Sequence, residues 1–285
     1  MVRISYVNGD YVEHSKAYVH IDDRGLLFSD GVYEVISVKK GTLIDWRLHF
    51  ERLERSLNGL QISMTMQESK LYDVITKLLK KNLMHDSAMV YLQITRGVAP
   101  RNHNFPVGVA PSLVATVAPL PAPKPSEYEH GVTVISHPDL RWQRRDIKSL
   151  SLLPNVLAKQ KASEAGAAEA VLVESSGIVT ECSTSNFYIV DKKNIVRTHP
   201  ANEHILGGIT RAGLLSTAKE SGIKIVEKPF KLDDVYSASE AFITSTTKYI
   251  LPVTKIDGRT IGSGNPGKVT RQLMEKYAHY IERQV

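Results

Sequence analysis

Four prolines at alternate positions, Pro119, Pro121, Pro123 and Pro125, interrupt the 285-residue chain. Each holds its own φ at about −65° and pushes the preceding residue toward extended backbone. The run APLPAPKPS over 118–126 therefore reads as a stiff strap, neither helix nor central strand. Strand and helix patterns lie on both sides of it, and a chain of this length is expected to hold about two domains. The predicted organisation is an N-terminal α/β domain over 1–118, a Pro-rich linker over 119–126 and a C-terminal domain over 127–285. The class is α/β (α+β), with strand-rich sheets covered by helices.

In the first half, Met1 to Tyr6 enters a strand-like pattern directly. Asn8-Gly9 inside Ile4 to Val12 predicts a hairpin. Lys40-Gly41, between Val32 to Val38 and Thr42 to Asp45, predicts a second. Leu53, Leu57 and Leu60 share one helical face. Leu71, Val74, Ile75, Leu78 and Leu79 repeat at helical spacing. Met89 to Thr95 and Leu113 to Val117 read as strands. In the second half, strands are expected at Val132 to Ser136, Val171 to Val173, Phe187 to Val190 and Phe242 to Thr244. Helices are expected at Pro154 to Ala165, stopped by Gly166, at Thr210 to Glu220, ended by Gly222, and at Val269 to Glu282.

Composition excludes several classes. A single cysteine, Cys182, rules out an intramolecular disulfide framework and any multi-Cys metal site, and no metal is expected. No run of 18 apolar residues and no signal-like apolar core is present, so a soluble cytoplasmic protein is expected, with no membrane partner. The net charge is +6, without a run of five Lys/Arg. A nucleic-acid groove is not favoured, and a basic surface around a small anionic ligand explains the balance equally well.

Three places offer anion chemistry. Leu206-Gly207-Gly208-Ile209-Thr210-Arg211 opens a helix, where free backbone N–H groups can meet a phosphate; the plainer reading is a turn that starts a helix. Thr244-Ser245-Thr246-Thr247 offers four hydroxyls at a strand end. Arg52 can reach a phosphate, although most helix arginines are solvated. Arg101 and His103 lie in a Gly/Pro-rich loop, where a guanidinium fork suits a carboxylate; a solvated surface loop is the alternative. Spacing does not rank the lysines: Lys148 follows Arg144 and Arg145, cations that would help depress a lysine pKa, while Lys159 and Lys161 on the following helix are ordinary surface candidates. Glu181 lies between two strand-like segments, either an ionised specific group or a turn acid. Cys182 reads as a small buried hydrophobe and not a nucleophile.

These runs, taken in order, resemble the pyridoxal-phosphate aminotransferases of fold type IV, and within them the D-amino acid aminotransferases. The resemblance covers nearly the whole chain. It is carried by Asp23-Arg24-Gly25 with Phe28 to Glu34, His49 to Leu53, Thr95 to Pro106, Asp146 to Leu150, Val179 to Asn186, His199 to Asn202 with Ile205 to Arg211, and Thr244 to Thr247. It implies a two-domain fold with pyridoxal 5′-phosphate at the domain interface. It implies Lys148 as the Schiff-base lysine and general base. Glu181 would face the pyridine nitrogen, and Leu206 would pack on the ring. Arg52, Ile209, Thr210 and Thr246 would hold the phosphate, and Ser245 would bind the cofactor. Tyr33, Arg101 and His103 would trap the substrate carboxylate, with the Arg101/His103 loop reaching in from the second subunit of a homodimer.

The implied reaction is ping-pong transamination of D-amino acids, D-alanine and D-glutamate among them, with 2-oxo acids such as 2-oxoglutarate or pyruvate. Supply of peptidoglycan precursors is the implied use. Two residues depart from the family pattern. Cys182 stands where Gly is common, and Gly207 where a larger residue can occur; both put substrate range in question. A branched-chain L-amino acid aminotransferase, an (R)-amine transaminase or an aminodeoxychorismate lyase would share the fold but has no use for the Arg101/His103 trap. A non-catalytic cofactor-binding scaffold is the reading from another class, and intact Lys148 and Glu181 speak against it.

Overall fold

Asn8 and Gly9 both take positive φ, 48° and 112°. Strands β1 (Ile4–Val7) and β2 (Asp10–Glu13) therefore fold back on each other at the predicted hairpin. The structure, a computed structural model, describes residues 2–63 and 66–285; Met1, the first residue of the strand-like N-terminal run, lies outside the described residues. The chain divides into two units. The first is Met1–Pro121 with Ile147–Ser151 and Gln284–Val285; the second is Ala122–Asp146 with Leu152–Arg283.

In the first unit the hairpin is followed by α1 (Arg24–Phe28), β3 (Gly31–Lys39), β4 (Thr42–Leu43), α2 (Trp46–Gly59), α3 (Glu68–Lys81), β5 (Ser87–Thr95) and β6 (Ser112–Pro119). The strands form one antiparallel sheet in the order β2-β1-β6-β5-β3-β4. The predicted second hairpin is present, with Lys40 and Gly41 at positive φ between β3 and β4. Leu53 and Leu57 of α2 and Leu71, Ile75, Leu78 and Leu79 of α3 are buried in one cluster with Ile36, Val90, Leu92 and Val117 of the sheet. Burial of side chains this size is worth about 1.5–3 kcal/mol each, so this face holds the helices to the sheet. Val74 and Leu60 pack at its margin.

The second unit runs α4 (Pro125–His130), β7 (Val132–Pro138), α5 (Leu153–Glu164), β8 (Glu169–Val173), β9 (Val179–Cys182), β10 (Asn186–Val190), β11 (Val196–Thr198), α6 (Ile209–Glu220), β12 (Ile225–Glu227), α7 (Leu232–Tyr236), β13 (Glu240–Ser245), β14 (Tyr249–Ile256), β15 (Arg259–Thr260) and α8 (Lys268–Glu282). Its mixed sheet has the order β12-β11-β10-β13-β14-β7-β8-β9, with β15 beside β14. Every residue of β9 and β10 is buried, so neither strand alternates between polar and apolar. Gly166 and Gly222 end α5 and α6 at φ +68°, as predicted. No helix among the described residues is long and apolar enough to cross a membrane.

Three expectations need correction. The strap is shorter than 118–126: Pro119 closes β6 opposite Ala88, and Pro125 opens α4, where its missing N–H needs no partner. Glu181 is not in a turn between strands but inside β9. Residues 147–151, assigned above to the C-terminal domain, group with the first unit. Ser149 bridges Val32, the Tyr33 N–H donates to the Lys148 carbonyl (3.0 Å), and the Leu150 N–H donates to the Gly31 carbonyl (3.0 Å). Sequence patterns report local preference, and this return to β3 is a long-range pairing.

Candidate active site

Lys148 is held by its backbone before its side chain is considered. Its carbonyl accepts from Tyr33 and its N–H donates to Ser56 Oγ of α2 (3.2 Å). The amine lies 4.1 Å from the centroid of the Tyr33 ring, and Tyr33 stacks on Tyr91 at 5.9 Å. The first unit thus brings together two of the predicted residues, Lys148 and Tyr33. Arg144 and Arg145, the cations that precede Lys148, are each paired with carboxylates. Arg144 bonds both oxygens of Asp146 (2.9 Å each), and Arg145 pairs with Glu174 (2.6 Å) and Asp139 (3.5 Å).

Arg52 is buried in α2 and makes a two-bonded fork with Glu34 of β3, Nε to Oε1 and NH2 to Oε2, 2.8 Å each. His49 Nδ1 adds a contact to Glu34 Oε2 at 2.7 Å. Burial would raise the Glu34 carboxyl, but the Arg52 charge and the bonds from Arg52 and His49 outweigh it and hold the group far below the usual carboxylate range. Burial keeps His49 below its ordinary value. Glu34 and His49 lie within the quoted runs but have no role predicted from sequence.

Arg101 and His103 are exposed in the loop between β5 and β6. Both rest against Phe28, with Arg101 Cζ and the His103 ring each 5.2 Å from its centroid. Among the described residues no hydrogen bond or ring contact joins Tyr33 to either of them.

The second unit carries Glu181. The side chain is buried on β9 and accepts from three donors. Arg141 NH1 and the Leu206 N–H (3.1 Å) donate to Oε1, and Asn186 Nδ2 donates to Oε2 at 2.9 Å; the Arg141 contact is also an ion pair. Each of the three suits an ionised acceptor. Asn186 Nδ2 also donates to the Leu206 carbonyl (2.9 Å). A Cβ on Gly208 would collide with Asn186 Oδ1. One amide side chain therefore ties Glu181 to the loop that opens α6. Gly207, by contrast, has room for a side chain.

Gly208 is the N-cap of α6, a helix of 12 residues, so the backbone amides of its first turn point out of the helix end. Ile209 and Thr210 are buried in that turn. Ser245 ends β13, and its Oγ accepts from the Lys248 N–H (3.3 Å). Thr246 follows it, partly buried, and Thr244 Oγ1 lies 3.1 Å from the Tyr188 hydroxyl. Cys182 is a core residue, and burial pushes its thiol well up, which removes it as a nucleophile.

Sequence reasoning missed the group that supports Glu181. Arg141 forks onto Asp139, Nε to Oδ1 at 2.9 Å and NH2 to Oδ2 at 2.8 Å, while its NH1 serves Glu181. Burial raises the Glu181 carboxyl; the Arg141 charge and bond and the Leu206 amide oppose that rise. Asp139 is also pushed up by burial, but its bonds and charge contact with Arg141 hold it below the usual range. Three carboxylates, Glu181, Asp139 and Glu174, share two guanidiniums, Arg141 and Arg145, with the His204 ring on Glu174 (3.0 Å) at the outer end. A protonated ring nitrogen at Glu181 is the complementary charge. A phosphate suits the α6 N-terminus. The residues present therefore fit pyridoxal 5′-phosphate. The only sequence signal for the support is Asp139-Leu140-Arg141, two charges in an irregular segment.

Comparison with known proteins places the family and the fold. The amino-transferase class IV family pattern matches residues 31–256. The chain is 44% identical over 266 residues, 93% of each chain, to a D-alanine aminotransferase of Bacillus licheniformis. It is 41% identical over 280 residues, 97% of each chain, to a D-alanine aminotransferase of Staphylococcus epidermidis. Among solved structures it superposes on the branched-chain amino acid aminotransferase of Escherichia coli with a TM-score of 0.88 at 23% identity, covering 99% of this chain and 95% of that one. Another branched-chain amino acid aminotransferase, solved with pyridoxamine 5′-phosphate, gives a TM-score of 0.90 at 23% identity over 99% and 95%. At that identity the structural likeness speaks for the fold, fold type IV, a mixed α/β arrangement with two sheets. With the family pattern spanning most of its length, the chain belongs to the class IV aminotransferases.

Proposed function

We propose that this enzyme transaminates D-amino acids, D-alanine first among them, with pyridoxal 5′-phosphate as cofactor and 2-oxoglutarate or pyruvate as acceptor. The observation that carries the reading is the Asn186 amide, which ties the buried acid Glu181 to the loop opening α6. A ring-nitrogen acid and a phosphate-binding helix end are thereby built on one scaffold. The names of the relatives at 41–44% identity support the D-alanine preference, as does the Arg101/His103 loop.

When bound, the cofactor supplies the carbonyl that takes up the amino group and an electron-accepting ring. Lys148 Nζ takes the proton from the substrate Cα and delivers it to C4′. Glu181 holds a proton at the ring nitrogen, and Arg141 and Asn186 keep its oxygens aimed. The first-turn amides of α6 with Thr210, together with Arg52, Ser245 and Thr246, bind the phosphate, and Leu206 packs on the ring. Arg101, His103 and Tyr33 bind the α-carboxylate, which decides the face from which the Cα–H meets Lys148. Arg101 and His103 are exposed within one chain, which suits a homodimer in which this loop serves the site of the second copy. The order is ping-pong: D-amino acid in, 2-oxo acid out, second 2-oxo acid in, second D-amino acid out.

The test is a substrate panel. Purified enzyme reconstituted with cofactor is assayed with D-alanine, D-glutamate and L-leucine against 2-oxoglutarate, and its visible absorbance is followed. D-alanine is expected to bleach the visible band and turn over fastest. Preference for L-leucine would overturn the D-specific reading, and absence of any band after reconstitution would overturn the cofactor.

A further inference from the structure

We propose that Arg24 is a positioning residue for the substrate-carboxylate loop, gripping the backbone on both sides of His103 so that Arg101 and His103 present a fixed face. The proposal rests on the reading above that these two residues bind the α-carboxylate. Residues 101–105 are all exposed and lack regular structure. A loop of that kind has no intrinsic order, whereas a binding constellation must be held to within about 0.5 Å. The order has to come from beneath it.

Arg24 lies beneath it, only 3% exposed. Its Nε donates to Asp30 Oδ2 at 2.8 Å, and its NH1 donates to the carbonyls of Asn102 (2.5 Å) and Asn104 (3.4 Å), the two residues that flank His103. Its own N–H donates to the Gly97 carbonyl (2.9 Å) at the start of the loop. The guanidinium also lies 4.7 Å from the Phe28 ring, the ring on which Arg101 and His103 rest. Asp30 is in turn forked by Arg96, Nε at 2.8 Å and NH2 at 2.9 Å, and Arg96 Cζ stands 3.7 Å over Phe105 at the far side of His103. One partly buried carboxylate thus aims two guanidiniums, and each holds one stretch of the loop.

A planar fork is needed for this. Arg24 serves an acid with one nitrogen and two carbonyls with another, in directions fixed by the group itself. The compact ammonium of a lysine can keep the ion pair with Asp30 but cannot hold that set of directions. A role limited to filling a buried ion pair would therefore be met by lysine, and a positioning role would not.

The experiment compares Arg24→Lys, Arg101→Ala and the double variant as holoenzymes. KM and kcat are measured for D-alanine, with the inhibition constant of propionate, a carboxylate that lacks the amine. Arg24→Lys is expected to raise KM and the propionate constant together by about tenfold while kcat stays within about twofold, the pattern of lost binding and not of lost chemistry. The visible band and the unfolding midpoint are expected to stay near wild type. The double variant is expected to be no worse than Arg101→Ala alone, because residues acting through one another are not additive. Unchanged KM and propionate binding in Arg24→Lys, beside a clear loss in Arg101→Ala, overturns the role of Arg24. An Arg101→Ala enzyme that binds D-alanine and propionate normally overturns the underlying carboxylate reading.

Discussion

The Arg52 guanidinium meets the Glu34 carboxylate fork to fork, with both contacts at 2.8 Å and both groups buried. Such a fork fixes the plane of the arginine, so Glu34 decides how Arg52 is presented. Replacing Glu34 with Gln keeps the shape but removes the charge. Leaving a buried guanidinium without its counter-charge costs about 3–5 kcal/mol. Urea unfolding of Glu34→Gln is expected to show a loss on that scale, and phosphate-dependent cofactor affinity is expected to fall with it.

The same cluster sets an acid limit. Glu34 has a folded pKa depressed below its unfolded value of about 4.3, so its contribution is complete above that pH and is lost as pH falls toward the folded value. His49 is held below its unfolded value of about 6.5, so the unfolded chain takes up its proton first and stability drops as pH falls through that range. Glu181 runs the other way: raised by burial, it favours the folded state at low pH and loses that advantage as pH rises through its folded pKa. Stability of the cofactor-free enzyme is therefore expected to decline in two stages on acidification, and His49→Gln is expected to remove the earlier one. Unfolding midpoints across a pH series would show a single stage if His49 is not involved.

Neighbouring glycines give a paired test. Neither Gly207 nor Gly208 needs positive φ, so alanine carries no backbone penalty of that kind at either position. A Cβ on Gly208 would press into Asn186 Oδ1, while one on Gly207 meets only Ala201 at 4.0 Å. Gly207→Ala is expected to shift stability by no more than about 0.5 kcal/mol. Gly208→Ala is expected to displace Asn186 from Glu181 and weaken cofactor binding by about tenfold or more. Equilibrium titration of the two apoenzymes with pyridoxal phosphate compares them directly.

Lys148→Ala is expected to abolish turnover of D-alanine, a loss of about 10² or more from the proton-transfer step alone. Non-covalent retention of the cofactor through the α6 end should survive in part. Rapid-mixing assays with the variant loaded with cofactor would separate the two, and wild-type turnover would exclude Lys148 as the base.

Much of the first unit is legible because its signals are local. Asn8-Gly9 and Lys40-Gly41 specify tight turns by their tolerance of positive φ, and α3 carries an unbroken apolar stripe. The second unit hides its signals. In β9 every residue is buried, so Val-Thr-Glu-Cys lacks the alternation that marks a strand, and Glu181 reads as a turn acid as readily as an ionised specific group. Pro119 and Pro125 read as one strap because proline is tolerated both at a strand's last residue and at a helix's first turn. The candidate residues are named by the family resemblance, which picks one lysine and one acid that spacing does not single out, while the glycines before α6 are visible on their own. Their supports are not. Asp139, Arg141, Asn186 and Arg24 act through pairings between distant segments, and no spacing rule reports those. The acids that pair with Arg144 and Arg145 are hidden for the same reason, since the linear order does not reveal them.

The brief return of Ile147–Ser151 to the first unit has a consequence for how this protein can be inherited. The chain changes unit at residues 121, 146, 151 and 283, so no single cut yields two self-sufficient pieces. Ile147 is part of the hydrophobic cluster beneath the first sheet, and a fragment ending at the strap would lack both that side chain and the lysine beside it. Gene fusion or shuffling at the proline run, which looks like a natural seam, would break the set.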